Sequence, residues 1–298
     1  MTTLNLAHLH PSAIEVAISS KEDRLEWIKK PRWIGYPRAH DILGQLEDLM
    51  RFPRQSRMPN MLLIGDSNSG KTRLVESFIQ RYPADENIGG EHIIAKVLYI
   101  EAPPGPSETG LYVEILNALF EQVPTSSLEA RRARVIEMLN EIQLKVLVID
   151  ELHNILAGTT VKQQNMLNVI KYLTNKLQIS IVGCGTGDLL RAVSIDTQIQ
   201  NRFTPVLLPK WKMGKEFQRL LKSFEMILPL QRASTLHDTI LSSKILAMSE
   251  GTIGEISILL NTATKFAIQS DIECIDQDVL NSCGYVAPSD RTRSAAIV

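Results

Sequence analysis

The octapeptide Gly65-Asp66-Ser67-Asn68-Ser69-Gly70-Lys71-Thr72 fits G-x-x-x-x-G-K-[ST] at every fixed position, and few short words restrict a fold so strongly. The backbone must turn tightly enough to aim successive N–H groups at phosphates, which is why the pattern keeps two glycines. The apolar run Met61 to Ile64 precedes the word and helical spacing from Lys71 to about Tyr82 follows it, the strand–loop–helix setting that the pattern requires. In that setting Lys71 neutralises β- and γ-phosphate charge, Thr72 offers a hydroxyl to Mg²⁺, and the positive end of the helix faces the anion. The residues Gly65, Asp66, Ser67, Asn68, Ser69, Gly70, Lys71 and Thr72 are therefore expected to bind nucleotide, with ATP and Mg²⁺ as the implied ligands.

A second apolar run, Lys145 to Ile149, ends on Asp150-Glu151. A buried strand ending this way delivers two carboxylates to the edge of a parallel sheet where ligands bind. Asp150 is expected in the metal shell and Glu151 as the group that polarises the attacking water. A fourth run, Ile179 to Gly183, leads into Cys184-Gly185-Thr186-Gly187. Thr186 is a candidate γ-phosphate sensor, and equally an N-cap for a helix beginning near Asp188. Arg202 comes just before a fifth short strand, Thr204 to Leu208; an arginine there is placed to stabilise charge at a neighbouring subunit's nucleotide.

With a further strand at Lys96 to Glu101, strands and helices alternate from Tyr36 to Pro209, which predicts an α/β core with a five-stranded parallel sheet. Helices are expected at His40 to Met50, Ser107 to Gln122, Ser127 to Gln143 and Val161 to Leu177. Beyond Pro209 only helical spacing remains, at Met213 to Ile227, Leu236 to Ser249, Ile253 to Ser270 and Asp276 to Ser282. The organisation read from the chain is an arm over residues 1–35 with a helix around Ala13 to Ile28, a core over 36–209, a helical lid over 210–285 and a disordered tail over 286–298.

The chain has 298 residues, 44% hydrophobic, and no apolar run of the ~18 residues that spans a bilayer. No basic and apolar leader precedes Pro11, so a cytoplasmic location is expected, with no membrane partner. Cys184, Cys274 and Cys283 form no metal or disulfide pattern. With a net charge of -1, nothing global attracts nucleic acid, and any such contact must be local. The basic stretch from Lys21 to Arg57 is either such a patch or a solvated surface.

Together these features resemble an AAA+ ATPase, and more narrowly the TniB family of transposition ATPases, which is TnsC-like. The words that carry the resemblance are GDSNSGKT (65–72), VIDELHNILAG (148–158), VGCGTGD (182–188), DTQIQNRF (196–203), LPKW (208–211), LPLQRAS (228–234) and SEGTIGEI (249–256). The resemblance implies an AAA+ P-loop core with a C-terminal helical lid and a regulator of DNA transposition. Such a protein binds double-stranded target DNA without sequence preference and forms a homo-oligomer on it with ATP, as a ring or helical filament. It recruits or activates a DDE transposase of the TniA/TnsB type, and a TniQ-like target-selection protein is a further implied partner. Carried onto this sequence, Lys71, Asp150, Glu151 and Thr186 serve hydrolysis and Arg202 acts in trans.

Two departures matter. Many AAA+ proteins place an arginine at the start of a lid helix, but Gly251-Thr252-Ile253-Gly254-Glu255 has none, which suits a slow switch better than a fast motor. In related proteins DNA touches segments after the second strand; here Arg131, Arg132 and Arg134, with Lys145 nearby, are the basic residues of that region. Their spacing scatters them over more than one helix face, so they form either a phosphate-binding patch or a solvated face. A replication loader or initiator, and a nucleotide-dependent scaffold with no DNA role, are the competing readings.

Overall fold

The computed structural model describes residues 5–154, 156–194 and 200–295. In chain order these form α1 (Pro11–Ala17), α2 (Lys21–Lys29), α3 (Pro37–Arg51), β1 (Asn60–Ile64), α4 (Lys71–Ile79), β2 (Val97–Glu101), α5 (Glu108–Ala118), α6 (Leu128–Glu141) and β3 (Val146–Asp150). There follow α7 (Thr160–Leu177), β4 (Ser180–Gly185), α8 (Asp188–Val193), β5 (Phe203–Leu207), α9 (Lys215–Ile227), α10 (Thr239–Met248), α11 (Ile253–Gln269), α12 (Gln277–Ser282) and α13 (Pro288–Ala295). Two units result, one of residues 37–209 and one combining residues 1–36 with 210–298. No helix among the described residues is long and apolar enough to cross a membrane.

In residues 37–209 the five strands lie side by side in the order β2-β3-β4-β1-β5, and all are parallel. Strands β1, β3 and β4 are buried along their whole length, as central parallel strands covered on both faces must be. Edge strand β5 is only partly covered, burying Phe203 and Val206, and it tolerates Pro205 because an edge strand has a side that needs no donor. Helix α5 supplies Leu111, Tyr112 and Ile115, α6 supplies Val135 and Leu139, and α7 supplies Leu167, Ile170 and Leu173 to a core shared with Leu147 and Ile149. Ser107 and Ser127 cap α5 and α6, their hydroxyls accepting from the N–H groups of Gly110 and Ala130. Both helices stop short of the expected ends, because Phe120 and Gln143 take left-handed backbone angles (φ 56° and 57°).

The N-terminal residues are not a separate arm. The helix expected around Ala13 to Ile28 is two helices, since Ser20 breaks the run and caps α2 by accepting from Asp23 N–H. Arg24 is buried, donating from Nε and Nη2 to Pro229 O (2.9 and 2.7 Å) and from Nη1 to Glu273 Oε1 (3.0 Å). Its Nη2 also pairs with Glu273 Oε2, which accepts from Gln231 N–H as well. Trp27 Nε1 donates to Ile227 O (3.0 Å). The word LPLQRAS thus has a physical meaning: its backbone is the receptor for α2, and it also wraps Glu225, whose carboxylate accepts from Ser234, Thr235 and Leu236 N–H.

The disordered tail expected over 286–298 is in part helical, as α13. Arg291 bonds both oxygens of the buried Glu255 (3.1 and 2.8 Å), and Tyr285 OH donates to the same carboxylate (2.7 Å). The turn that lacks an arginine therefore carries a buried acid, and the cation that meets it comes from the last helix. Residues 296–298 lie outside the described residues.

Arg24→Ala strands a mostly buried Glu273 carboxylate, and the loss of one partner of such a pair costs about 3–5 kcal/mol. Urea unfolding is expected to show that loss; an unchanged midpoint would mean that residues 11–29 add nothing to the helical unit.

Candidate active site

The C-terminal ends of β1, β3 and β4 meet at one edge of the sheet, and the chemical residues stand there because of the register. Ile64 lies opposite Gly185, and Glu101 opposite Asp150. The loop leaves β1 with Gly65 N–H donating to Gly185 O (3.1 Å) and turns back through Ser69 N–H to Asp66 O (3.2 Å). Its two glycines serve different needs. A Cβ on Gly65 would lie 2.5 Å from Ser69 Oγ and 3.1 Å from Leu208 Cβ, whereas Gly70 sits at φ 90°, a left-handed angle that side chains disfavour.

Lys71 opens α4, and its ammonium donates to Gly65 O (2.8 Å) and Asp66 O (3.0 Å), so the charge is held over the mouth of the loop. Ser69 Oγ is buried and has no hydrogen-bond partner among the described residues. An unsatisfied buried hydroxyl inside a cradle of N–H groups fits a ligand rich in acceptor oxygens.

Asp150 is the most connected group. Its Oδ2 accepts from Thr72 Oγ1 (3.0 Å) and from Tyr99 OH (3.0 Å), and its Oδ1 accepts from Glu151 N–H (2.9 Å). Burial and then the Asp150 charge push the Tyr99 phenol well above its ordinary range, so it remains a donor. Thr72 and Asp150 together suit Mg²⁺, an ion that takes one or two protein oxygens and completes its shell with substrate phosphates and water. Cys184, wholly buried in β4, has its thiol pushed far up by burial and by Asp150, against an opposing pull from Lys71. It packs as a neutral side chain behind the loop.

Glu151 leaves the strand at φ 51°, a costly angle for a residue with a side chain, of the kind that recurs where a functional group must be aimed. Its carboxylate is 3.2 Å from His153 Nδ1, close enough for an ion pair when the imidazole is protonated but without hydrogen-bond alignment. Thr186 follows β4, between the strands that carry the loop and Asp150. Its tie to α8 runs through the backbone, Leu189 N–H donating to Thr186 O (3.1 Å); the cap residue of α8 is Gly187, without a side-chain bond.

Arg202 stands elsewhere. Its carbonyl accepts from Asn60 N–H at the start of β1 (2.9 Å), and its Nη1 donates to Asn175 Oδ1 (2.8 Å). It is separated from its own loop by the full length of β1, about 16 Å at 3.3 Å per residue. The word DTQIQNRF is described only from Gln200 onward; residues 196–199 lie outside the described residues. On α6, Arg132 is bound by Glu108 (2.5 and 3.1 Å), and Arg134 by Glu121 (2.7 Å) and Glu137 (2.8 Å). Arg131 has its Nε buried without a partner, and the Lys145 ammonium donates to Met50 O (3.2 Å). The guanidinium charges of Arg132 and Arg134 are thus already met within the fold.

No local pattern marks Tyr99 as a hydrogen-bond partner of Asp150 or Asn175 as the holder of Arg202. Both meet their partners only through strand register and the packing of α7, although a tyrosine two residues before the end of β2 could have been asked what it faces.

Residues 24–213 match the family described as "Bacterial TniB protein". Among curated proteins the chain is similar to the chaperone protein ClpB of Nitratidesulfovibrio vulgaris, 26% identical over 169 residues that cover 55% of this chain and 18% of that protein. The chain thus spans about a fifth of the curated relative's length. Among solved structures it is similar to the Aeropyrum pernix ORC1 protein in complex with DNA (TM-score 0.60, 16% identity, 89% of this chain and 70% of that one). It is similar also to the Aeropyrum pernix ORC2 protein in its ADPNP-ADP complexes (TM-score 0.61, 15% identity, 86% and 70%). These structural likenesses fix the fold as an AAA+ α/β core. As the matched region takes in nearly two thirds of the chain, from α2 to the residues just before α9, this protein belongs to the TniB family.

Proposed function

We propose that this protein is a DNA-associated AAA+ ATPase that assembles with ATP on double-stranded DNA and there recruits or activates a DDE transposase. A TniQ-like protein is the proposed selector of targets. The observation that carries the reading is the division of catalytic groups between two sheet edges. Lys71, Thr72, Asp150 and Glu151 stand at one edge and Arg202 stands a strand length away at the other. A site divided in this way is completed only when a second copy presents its far edge, which makes nucleotide chemistry report on assembly. Membership of the TniB family supports the transposition role, and the likeness to a DNA-bound ORC1 protein supports the association with DNA. That same likeness favours a replication initiator as the second reading; recovery of a helicase rather than a transposase as the bound partner would select it.

At the loop edge, Lys71 and the N–H groups of residues 65–72 hold the phosphates, and Thr72 with Asp150 would hold Mg²⁺, whose charge would offset that of the phosphates. Glu151 takes the proton of the attacking water as its oxygen bonds to the γ-phosphorus. The bond from that phosphorus to the β–γ bridging oxygen breaks, and ADP leaves with the electron pair. Thr186, at the end of the strand between β1 and β3, is the proposed sensor of the γ-phosphate. The lid turn holds the acid Glu255 where other AAA+ proteins hold an arginine, which supports slow turnover and a role as a timed switch.

Lys71→Ala is expected to abolish nucleotide binding and assembly together. Glu151→Gln should retain binding while turnover falls by about 10²-fold or more, the share of a general base, leaving long-lived ATP assemblies in electron micrographs. Arg202→Ala is expected to lower turnover by about 10³-fold in assemblies; an equal loss in isolated monomers would refute its action in trans. Finding only monomers with ATP and DNA present would overturn the whole reading.

DNA affinity should fall linearly on a log–log plot against salt and be indifferent to sequence, since phosphate contacts release counterions. A salt-independent affinity, measured by fluorescence anisotropy on two unrelated duplexes, would contradict that.

A further inference from the structure

The parallel sheet separates charge. Asp66, Glu101, Asp150 and Glu151 stand at or just past the C-terminal ends of β1, β2 and β3. At the other edge four of the five strands are preceded by a basic residue, Arg57 ahead of β1, Lys96 ahead of β2, Lys145 ahead of β3 and Arg202 ahead of β5, while β4 is entered through Gln178 and Ile179. The alternation of strand and helix does not demand this, because an N-terminal strand edge needs only polar groups.

A cavity of about 420 Å³ opens at the basic edge, between the segment preceding β1 and the start of β5. Arg57 and Arg202 both line it, with Gln55, Asn201 and Thr204 as further polar groups, and no carboxylate lines it among the described residues. Neither guanidinium meets a carboxylate among the described residues: Arg202 is steadied by the neutral Asn175, and the Arg57 segment is turned by Gln55 Nε2 donating to Arg57 O (2.8 Å). By contrast, Arg51 on the same edge is matched by Glu47, and Arg54 is spent on Leu144 O (3.4 Å). Two uncompensated guanidiniums in one recess, surrounded by side-chain donors, have the chemistry of a phosphoanion receptor.

We infer that this cavity receives the triphosphate of a nucleotide held in the loop of a second copy of this chain, and that Arg57 joins Arg202 as a second arginine acting on it in trans. The inference rests on the proposed trans action of Arg202 and extends it to a built site. The chain's own nucleotide is excluded, since the length of β1 lies between the two edges. A second copy is favoured by the charges around the recess. Its loop edge would bring Asp66, Glu101, Asp150 and Glu151 toward Lys96 and Lys145, a head-to-tail contact that repeats from copy to copy. Both arginines act by bearing charge as the γ-phosphoryl group moves to water; they form and break no bond.

The test is turnover of ATP by mixed assemblies. Arg57→Ala alone should lower turnover by at least about tenfold, the effect of losing one charge-assisted hydrogen bond, with an unchanged thermal melting point; Arg54→Ala, outside the recess, should turn over as the unaltered protein does. Mixing Arg57→Ala with Glu151→Gln, which keeps binding and assembly, should restore activity several-fold above the sum of the two, because the intact recess of one copy completes the intact loop of the other. Mixing Arg57→Ala with Arg202→Ala should restore nothing, because every recess then lacks one arginine. Full activity of Arg57→Ala, absence of recovery in the first mixture, or recovery in the second would each overturn the inference while leaving the assembly reading intact. If turnover per molecule of the unaltered protein does not rise with concentration, the trans reading fails and the inference falls with it.

Discussion

The hydrogen bonds on the Asp150 carboxylate hold the site together. One oxygen receives the hydroxyl of Thr72, from the first turn of α4, and the phenol of Tyr99, from β2; the other receives the backbone of Glu151. Three elements that are far apart in the chain are thereby fixed around one buried charge. A buried carboxylate without such donors would be strongly destabilising. One of these bonds holds the Thr72 hydroxyl 3.0 Å from the Asp150 carboxylate, so the two oxygens are neighbours at the sheet edge. Burial of the Asp150 strand on both faces is what gives these bonds their weight, because water cannot compete for the acceptor oxygens.

The sheet has a second consequence through its direction. In a parallel sheet all strand ends of one kind fall on one edge, so residues that follow strands and residues that precede them are sorted to opposite sides without any further device. Here acids follow β1, β2 and β3, and bases precede those strands and β5. The result is a core unit whose two edges are chemically complementary. Arg202 stands at the edge away from the loop of its own chain.

The helical unit shows how short sequence words acquire meaning through buried polar groups. LPLQRAS supplies Pro229 O to Arg24 and, at Ser234, the first of three consecutive N–H groups that bind Glu225, while SEGTIGEI supplies Glu255 to Arg291 and Tyr285. Each word surrounds a charge that must be satisfied once water is removed. This is why residues distant in sequence, at 24 and at 291, are integral to the unit rather than loose ends.

The sequence alone determined the nucleotide loop, the strand ending on Asp150-Glu151, the parallel five-stranded sheet and the helical character after Pro209. These are local signals: glycine spacing, runs of β-branched and aliphatic residues, and helical periodicity act within a few residues. It also placed Arg202 just ahead of the fifth strand and so, in a parallel sheet, at the edge away from the loop. What only the tertiary structure decided was strand order and the meeting of side chains. Tyr99 on Asp150, Asn175 on Arg202 and Arg57 beside Arg202 in one recess all depend on which strands are neighbours. The ends of the chain depend on tertiary partners for the same reason. Arg24 and Arg291 look like solvated surface cations until their buried carboxylate partners, hundreds of residues or tens of residues away, are brought against them. The P-loop remains the firmest word in the chain because its chemistry is carried by consecutive backbone atoms, whereas every other part of the site is assembled across the sheet.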